Sequence, residues 1–256
     1  MSGNVIPLPT RKDEAWRYAD LDALARVWGD VPQGPERIVV PAGETLSRQI
    51  VLPVALSGVS ITDLDVEIEA GATFALHLLC TDADYGRMSI HVLLHEGAHF
   101  EMGGAILGHS DQTLEIVTSV NHAHPHATSN QVVRSVLAGR ATGSFLGKVA
   151  VARHAQKTDA SQSVKAMLLD RTATANAKPE LEIYADDVKC AHGATVGELD
   201  ATQLFYLTSR GIPYEIARSM LIEAFLIDTI ETIENETLAG LLRPVAEAWL
   251  AGGEVS

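Results

Sequence analysis

The sequence predicts a mainly β protein with a β-solenoid core and helical segments before and after it. Short runs rich in Val, Ile, Leu and Thr, bounded by Gly, Asp, Asn or Pro, follow one another from about residue 37. No helical pattern separates these runs, which excludes alternating strands and helices and leaves a sandwich, a barrel or a solenoid. The segments VEIEAGATFAL and LLHEGAHFEMGG share a strand–turn–strand pattern, and this approximate repetition favours the solenoid.

The N-terminal segment, residues 1–36, is predicted to be helical. Trp16, Leu24 and Trp28 recur at helical spacing and predict one helix that begins near Asp13 and ends before Gly29. We expect the two tryptophans to anchor this helix on the β body.

The β core is predicted to cover residues 37–199. Most of its turns are short and contain glycine. The polar stretch AQKTDASQS, residues 155–163, is too long for a tight hairpin, and it is predicted to be a solenoid turn or a loop.

The C-terminal region, residues 200–256, is predicted to be helical. Asp200 has the character of a helix N-cap, Gly211 of a residue that ends a helix, and Pro213 of a first-turn residue in the next helix. That next helix is apolar on more than one face, so it must bury more than one face. A last helix is predicted over Thr237–Leu250.

Composition and charge limit the possible partners and compartment. Among 256 residues the net charge is −14, which disfavours nucleic acid or an anionic membrane as a partner. With only two cysteines, Cys80 and Cys190, a disulfide-stapled fold is not expected. The first residues lack the apolar stretch of a signal peptide, and no apolar run reaches 18 residues. We therefore expect a cytoplasmic protein.

The segment VKCAHGATVG holds the residue pair that most suggests chemistry, Cys190 and His192. In an extended strand positions 190 and 192 point to the same side, so a thiolate and an imidazole could share one ligand. Lys189 and His192 are cationic neighbours, which are expected to lower the pKa of the thiol. Two ligands do not close a four-coordinate site, so a metal site here would be open or completed by another chain. Cys80, within ALHLLC, is predicted to be a buried apolar residue.

Two alternative functions use other residues. His122, His124 and His126 alternate, and in a strand they would face one ion, as in a stand-alone His-rich metal-binding β protein. Solvated or turn histidines are the simpler interpretation.

The second alternative is a β-helix enzyme that acts on a carbohydrate through paired carboxylates. The acidic pairs Glu67/Glu69 and Asp186/Asp187 are the candidates, but aromatic residues for sugar stacking make up only 5% of the chain.

The segment GSFLGKV does not match a phosphate-binding loop, because its glycines are too close and Val149 replaces the Ser or Thr that binds magnesium.

Longer motifs resemble one known family. The stretch KPELEIYADDVKCAHGATVGELD, followed by LFYLTSRGI, resembles the SufD group of the SufB/SufD family of iron–sulfur cluster assembly scaffold proteins. Upstream, GKVAVARHAQKTDASQSVKAMLL and EAWRYADLDAL resemble further family segments. The resemblance covers at least residues 140–235, and the choice of the SufD group rests on VKCAHGATVGELD and SRGI.

The resemblance implies a fold and a set of partners. It implies a right-handed parallel β-helix with helical ends, and a non-enzymatic scaffold subunit of a SufBCD complex with a SufB-like protein and a SufC-like ABC-type ATPase. A chain without these partners is expected to be able to form a homodimer through the β-helix. The resemblance also implies that the C-terminal helices dock the ATPase. The apolar residues expected at that contact are Phe205, Tyr206, Met220, Leu221 and Phe225.

The resemblance also implies roles for the Cys-His pair. His192 matches the histidine proposed to help hold the nascent cluster or its iron at the SufB–SufD interface, and Cys190 matches the neighbouring cysteine. Ala191 stands where the family often has serine. We expect no tightly bound cofactor in the isolated chain, and a transient iron–sulfur cluster or iron in the complex.

Overall fold

The computed structural model describes residues 7–31, 34–52 and 57–227, and across them the chain winds into the predicted β-solenoid. Nine of the twelve strands in the described residues are ten residues long, and turns separate them. In chain order they are β1 Glu36–Val40, β2 Thr45–Val51, β3 Val59–Ile68, β4 Thr73–Cys80, β5 Tyr85–Leu94, β6 His99–Gly108, β7 Thr113–His122, β8 Thr128–Leu137, β9 Thr142–Val151, β10 Asp159–Leu168, β11 Thr174–Ile183 and β12 Lys189–Glu198.

Each coil contributes one strand to each of two six-stranded sheets. Sheet A contains β1 and the other odd-numbered strands in chain order, and sheet B contains the even-numbered strands. All neighbouring strands are parallel. Arg87 and Glu115 on adjacent strands are 28 positions apart, whereas Asn130 and Ser161 are 31 apart. Coil length therefore varies, which explains a repetition without a strict period.

The recurring Glu-Ala-Gly and Glu-Gly-Ala turns stack on one another as the strands do. Gly71 and Gly97 have φ angles of 66° and 65°, in the left-handed region that favours glycine. The backbone N–H of Gly71 donates to the carbonyl of Glu96 in the next turn, and that of Gly97 donates to Pro125. The glycines thus allow the turns of successive coils to bond to each other.

The interior of the solenoid is filled by side chains from alternate strand positions. Phe74 and Phe100, register partners on β4 and β6, stack at a centroid distance of 6.2 Å. Each is fully buried, and burial of such a side chain contributes roughly 1.5–3 kcal/mol. Cys80 lies in the same core, as predicted, and burial raises the pKa of its thiol.

The N-terminal segment is less helical than the sequence predicts. A 3-10 turn covers Glu14–Trp16 and the helix α1 covers only Leu21–Ala25, so the prediction of one helix from Asp13 is wrong. The cause is Asp20, whose carboxylate accepts a hydrogen bond from the N–H of Ala23 at 2.9 Å. An N-cap at this position starts a new helix instead of continuing an old one.

The two tryptophans anchor the N-terminal segment on the outer face of sheet A, as predicted. Trp16 and Trp28 meet edge to face at 6.3 Å and pack in one cluster with the buried Tyr85. The N-terminal segment covers the apolar residues on this outer face, which explains why the face carries them.

A buried arginine holds the same segment in place. The Arg87 guanidinium lies 3.8 Å from the ring centroid of Trp16 and donates to the carbonyl of Ala15 at 2.8 Å. It also forms an ion pair with Glu115 at 3.0 Å, and both side chains are almost fully buried. Burial raises the pKa of the Glu115 carboxyl, and the Arg87 charge opposes that shift. The pair therefore depends on both partners.

Two helices follow the last strand. Helix α2 covers Ala201–Ser209, and the carboxylate of Asp200 accepts a hydrogen bond from the N–H of Gln203, which confirms the predicted cap. Gly211, at φ 90°, separates α2 from helix α3, Tyr214–Ile227. The left-handed conformation at Gly211 ends the first helix, as predicted.

Helix α3 packs on the outer face of sheet B. Ile222 and Leu226 are buried against Leu107 and Val136 of the solenoid. The predicted last helix, Thr237–Leu250, lies outside the described residues. In the portion described here, no helix has the length and apolarity needed to cross a membrane.

Removing the buried arginine should destabilise the fold. We expect Arg87→Met to lower the free energy of unfolding by about 3–5 kcal/mol, because it leaves the Glu115 carboxylate buried without its partner. The double variant Arg87→Met/Glu115→Leu should recover much of this loss. Urea unfolding followed by circular dichroism measures both.

The matched control is an exposed ion pair. Arg140 contacts Asp111 at 2.5 Å with both side chains exposed, so Arg140→Met should change the free energy of unfolding by at most about 1 kcal/mol. A loss for Arg87→Met no larger than that of this control would contradict the role assigned to the buried pair.

Candidate functional site

The coil formed by β11 and β12 ends both sheets. β12 pairs only with β10, and β11 only with β9, so within residues 7–227 as described one edge of each ten-residue strand has no neighbour. Apart from the half-buried Cys190, the inward-facing side chains of β12 are correspondingly exposed, whereas those of β10 from Ala160 to Ala166 are buried. An uncovered strand edge is a ready template for pairing with another chain.

Cys190 and His192 lie on the inner side of this last coil. Their register partners on β10 are Ala160 and Gln162, both buried in the interior of the solenoid. The prediction that positions 190 and 192 share a face is confirmed. Cys190 is half-buried against the core, and His192 is exposed. At about 3.3 Å per residue the two lie ~6.6 Å apart along the strand, so one bound ion or small cluster could contact both.

The predicted activation of the Cys190 thiol is wrong. Burial, and then the charge of Asp159, raise the pKa of Cys190 above its ordinary value. Lys189 does not counter this shift, because adjacent residues in a strand point to opposite faces. The described residues contain no group of three or more His, Cys, Asp or Glu side chains that could hold a metal. The pair is therefore two candidate ligands, with the thiol protonated.

The five residues expected at the helical contact divide into two sets. Phe205, at 72% exposure, Tyr206 and Met220 lie on the surface of α2 and α3. Leu221 and Phe225 are half-buried and line a groove of about 380 Å³ between α3 and β12.

Two further apolar residues of these helices are exposed. Tyr214 and Ile216, at the start of α3, are each 55% exposed. Exposed apolar side chains grouped in this way are typical of a surface that binds another protein.

The structure separates the three alternating histidines. His122 ends β7, is fully buried, and has its Nε2 atom 2.9 Å from the Ser129 hydroxyl. The ring of His124 stacks on His95 at 5.0 Å, and His126 sits in a turn with φ 62°. The alternative in which they face one ion is contradicted, because the strand ends at residue 122. The simpler interpretation as solvated or turn histidines holds for His126 and fails for the buried His122.

The four acidic residues of the carbohydrate hypothesis have local partners. Glu67 pairs with Arg37 at 3.0 Å, and Glu69 accepts a backbone hydrogen bond at 3.0 Å. Asp186 accepts a hydrogen bond from a glutamine amide at 3.1 Å, and Asp187 pairs with a lysine at 2.5 Å. These contacts join neighbouring coils, so they favour a structural role for all four carboxylates.

Gln162 is a site residue that the sequence motifs did not indicate. The polar run 155–163 contains a turn and then the first half of β10, in which Gln162 faces the interior between Ala160 and Val164. A glutamine at an otherwise apolar position of a strand is the signal that could have identified it. It is 2% exposed and lies beside His192 in the sheet register.

These features define a class: a parallel β-solenoid with helical ends and candidate ligands on the inner side of an open last coil. Residues 54–225 match the family model described as "SUF system FeS cluster assembly, SufBD core domain". This match covers more than half of the chain, and the chain belongs to the SufBD core family.

Several curated relatives are similar over part of their length. The protein ABCI7, chloroplastic, of Arabidopsis thaliana is 34% identical over 205 residues, which is 78% of this chain and 43% of the relative. The iron-sulfur cluster assembly protein SufD of Escherichia coli is 35% identical over 161 residues, 54% of this chain and 38% of the relative. The chain thus spans less than half the length of these relatives.

Protonation of a buried histidine should make the stability depend on pH. Burial lowers the pKa of His122 from 6.5 to about 4. The unfolded chain therefore binds a proton at this residue more readily than the fold does. The stabilising contribution should be complete above pH 6.5 and decrease by about 3 kcal/mol as the pH falls to 4.

Urea unfolding between pH 4.5 and 7.5 tests this expectation with the variant His122→Gln. The variant should show a flatter dependence of the unfolding free energy on pH than the natural chain. His109, an exposed histidine, provides the control His109→Gln, which should leave the dependence unchanged. Equal slopes for all three proteins would contradict the assignment.

Proposed function

We propose that this chain is a SufD-like, non-catalytic scaffold subunit that assists iron–sulfur cluster assembly. The observation that carries the proposal is the open last coil, with Cys190 and His192 on its inner side, in a member of the SufBD core family. The names of the curated relatives, among them SufD of Escherichia coli and of Bacillus subtilis, support the same process.

The proposed partner across the open coil is a SufB-like protein. Two candidate ligands make an incomplete site, which a second chain placed against β11 and β12 would complete. The same unpaired edges would continue both sheets into that partner. In the absence of the partner a second copy of this chain could occupy the edges, which gives the homodimer expected from the resemblance.

The cargo is proposed to be a nascent cluster or its iron. Neutral imidazole is a common iron ligand, and His192 is exposed where cargo would arrive. Cys190 binds only as the thiolate, and burial raises the pKa of its thiol, so its binding to iron must release a proton. His192 is therefore the stronger candidate, and Cys190 joins once metal is present. The isolated chain is expected to hold no cofactor tightly.

The third proposed component is a SufC-like ABC-type ATPase docked on α2 and α3. The exposed Phe205, Tyr206 and Met220 supply an apolar contact of the kind such docking needs. The chain's own sequence has no phosphate-binding loop that would let it hydrolyse the nucleotide.

The net charge of −14 opposes binding to nucleic acid or to an anionic membrane, and we propose a cytoplasmic location.

Loss of His192 should impair cluster assembly without breaking the complex. In the complex purified with a SufB-like and a SufC-like protein, His192→Ala should lower cluster transfer to an apo-protein by about tenfold or more. Cys190→Ser should have a smaller effect. His109→Ala, at an exposed turn, is the control and should leave transfer unchanged.

The outcomes separate the site from the scaffold. Normal transfer by His192→Ala would remove the ligand assignment and leave the scaffold role. Failure of the natural chain to co-purify with either partner would contradict the scaffold role itself.

Replacing an exposed apolar residue of α2 by a polar one should weaken docking of the ATPase. We expect Phe205→Ser to reduce binding by roughly tenfold, since truncation of a buried aromatic anchor typically costs at least 1–2 kcal/mol. Val39→Ser is the control, because Val39 is 44% exposed on β1, at the other end of the solenoid. Surface plasmon resonance with the SufC-like protein measures both, and equal affinities would place docking elsewhere.

A further inference from the structure

One column of side chains in the solenoid interior changes from apolar to polar toward the open end. One inward-facing column of sheet B runs in register through Leu76, Met102, Gln131, Gln162 and His192. The first two are apolar, and the next two are carboxamides buried to 0% and 2% exposure. His192, at the open end, continues the column into solvent.

The carboxamides of this column are only partly bonded. The Thr118 hydroxyl donates to Gln131 Oε1 at 2.7 Å, which satisfies half of that amide. Neither Oε1 nor Nε2 of Gln162 has a hydrogen-bond partner. A buried polar group left without a hydrogen-bond partner is costly, so a side chain with two such atoms requires a reason.

The fold makes room for the Gln162 amide. A Cβ atom at Gly147, on the opposite sheet, would lie 2.7 Å from Gln162 Nε2 and 2.4 Å from the Phe145 ring. Only glycine at position 147 leaves this space. The second glycine of the GSFLGKV segment, Gly147, therefore leaves space for the Gln162 side chain in the interior of the solenoid.

We propose that Gln162 is a positioning residue for His192. Its carboxamide oxygen accepts a hydrogen bond from one ring N–H of His192 when the free amide turns toward the open end. A neutral imidazole has one donor and one acceptor nitrogen, so this bond fixes the tautomer and leaves the other nitrogen as the acceptor that binds iron. The iron in this step rests on the proposed function, whereas the hydrogen bond does not.

Distance singles out Gln162 within the column. Adjacent strands lie about 4.8 Å apart, so in-register side chains of β10 and β12 can bond. Gln131 lies one coil further in, at about twice that separation, and its amide oxygen is already bonded to Thr118. Gln131 therefore provides a matched control with equal burial and chemistry.

The first experiment reads the tautomer of His192 in the full chain, from the ¹⁵N shifts of the ring at pH 8. The variant His192→Gln identifies the signal by its loss. The natural chain should show one tautomer. Gln162→Met, with a similar volume, should give a mixture, and Gln162→Glu should restore one tautomer because a carboxylate also accepts the N–H. Gln131→Met should leave the tautomer unchanged.

Two results would overturn the proposal. One is an unchanged tautomer in Gln162→Met. The other is an equal change in Gln131→Met, which would assign the effect to a loosened interior.

The second experiment measures cluster transfer by the complex with SufB-like and SufC-like proteins. Gln162→Met should lower transfer by roughly tenfold, and Gln131→Met should not. In Gln162→Met, a mixture of tautomers together with normal transfer would support the hydrogen bond and contradict the iron-binding role of His192. A single tautomer together with reduced transfer in the same variant would overturn the positioning role of Gln162. The positioning role and the iron-binding role can therefore fail independently.

Discussion

The structure depends on one constraint: every coil must stack in register on the next. In-register stacking places equivalent side chains in columns, so each buried residue is covered by its partners in the coils on either side. The phenylalanine pair on β4 and β6 and the bonded glycine turns are two expressions of the same rule. Parts of the outer faces are covered as well: the N-terminal segment with its tryptophans covers part of sheet A, and α3 covers part of sheet B.

A coil at the end of such a stack has a neighbour on one side only, and the two end coils differ in how they meet this condition. On β1 and β2, inward-facing Glu36 and Arg48 bond to each other at 2.6 and 2.9 Å. Their charges are satisfied within the chain. On β12 the inward positions carry Cys190 and His192, whose sulfur and ring nitrogen atoms are candidate ligands. The site therefore belongs to the geometry of stacking: it lies where the interior of the solenoid opens.

Sequence patterns predicted the fold and the site unequally. Alternation, glycine turns and the repeated strand–turn–strand segments predicted a solenoid, and the caps at Asp200 and Gly211 predicted the helices, because these signals are local. Cys190 and His192 were found from their spacing and from family resemblance. The thiol environment was predicted incorrectly, because it depends on burial and on Asp159 across the coil, which spacing along one strand does not report. The alternative that placed three histidines around one ion failed for a local reason, since the strand ends at residue 122.

By itself the sequence determined the periodic alternation, the turn residues and the order of strands and helices, since each depends on neighbours within a few positions. Only the tertiary structure decided which residues face each other across coils about 28 to 31 positions apart. That pairing places the half-buried Cys190 thiol near Asp159 and the unpartnered Gln162 amide next to His192. The physical reason is that pKa values and hydrogen bonds depend on the distance between side chains in the stack, and coil length sets which side chains meet.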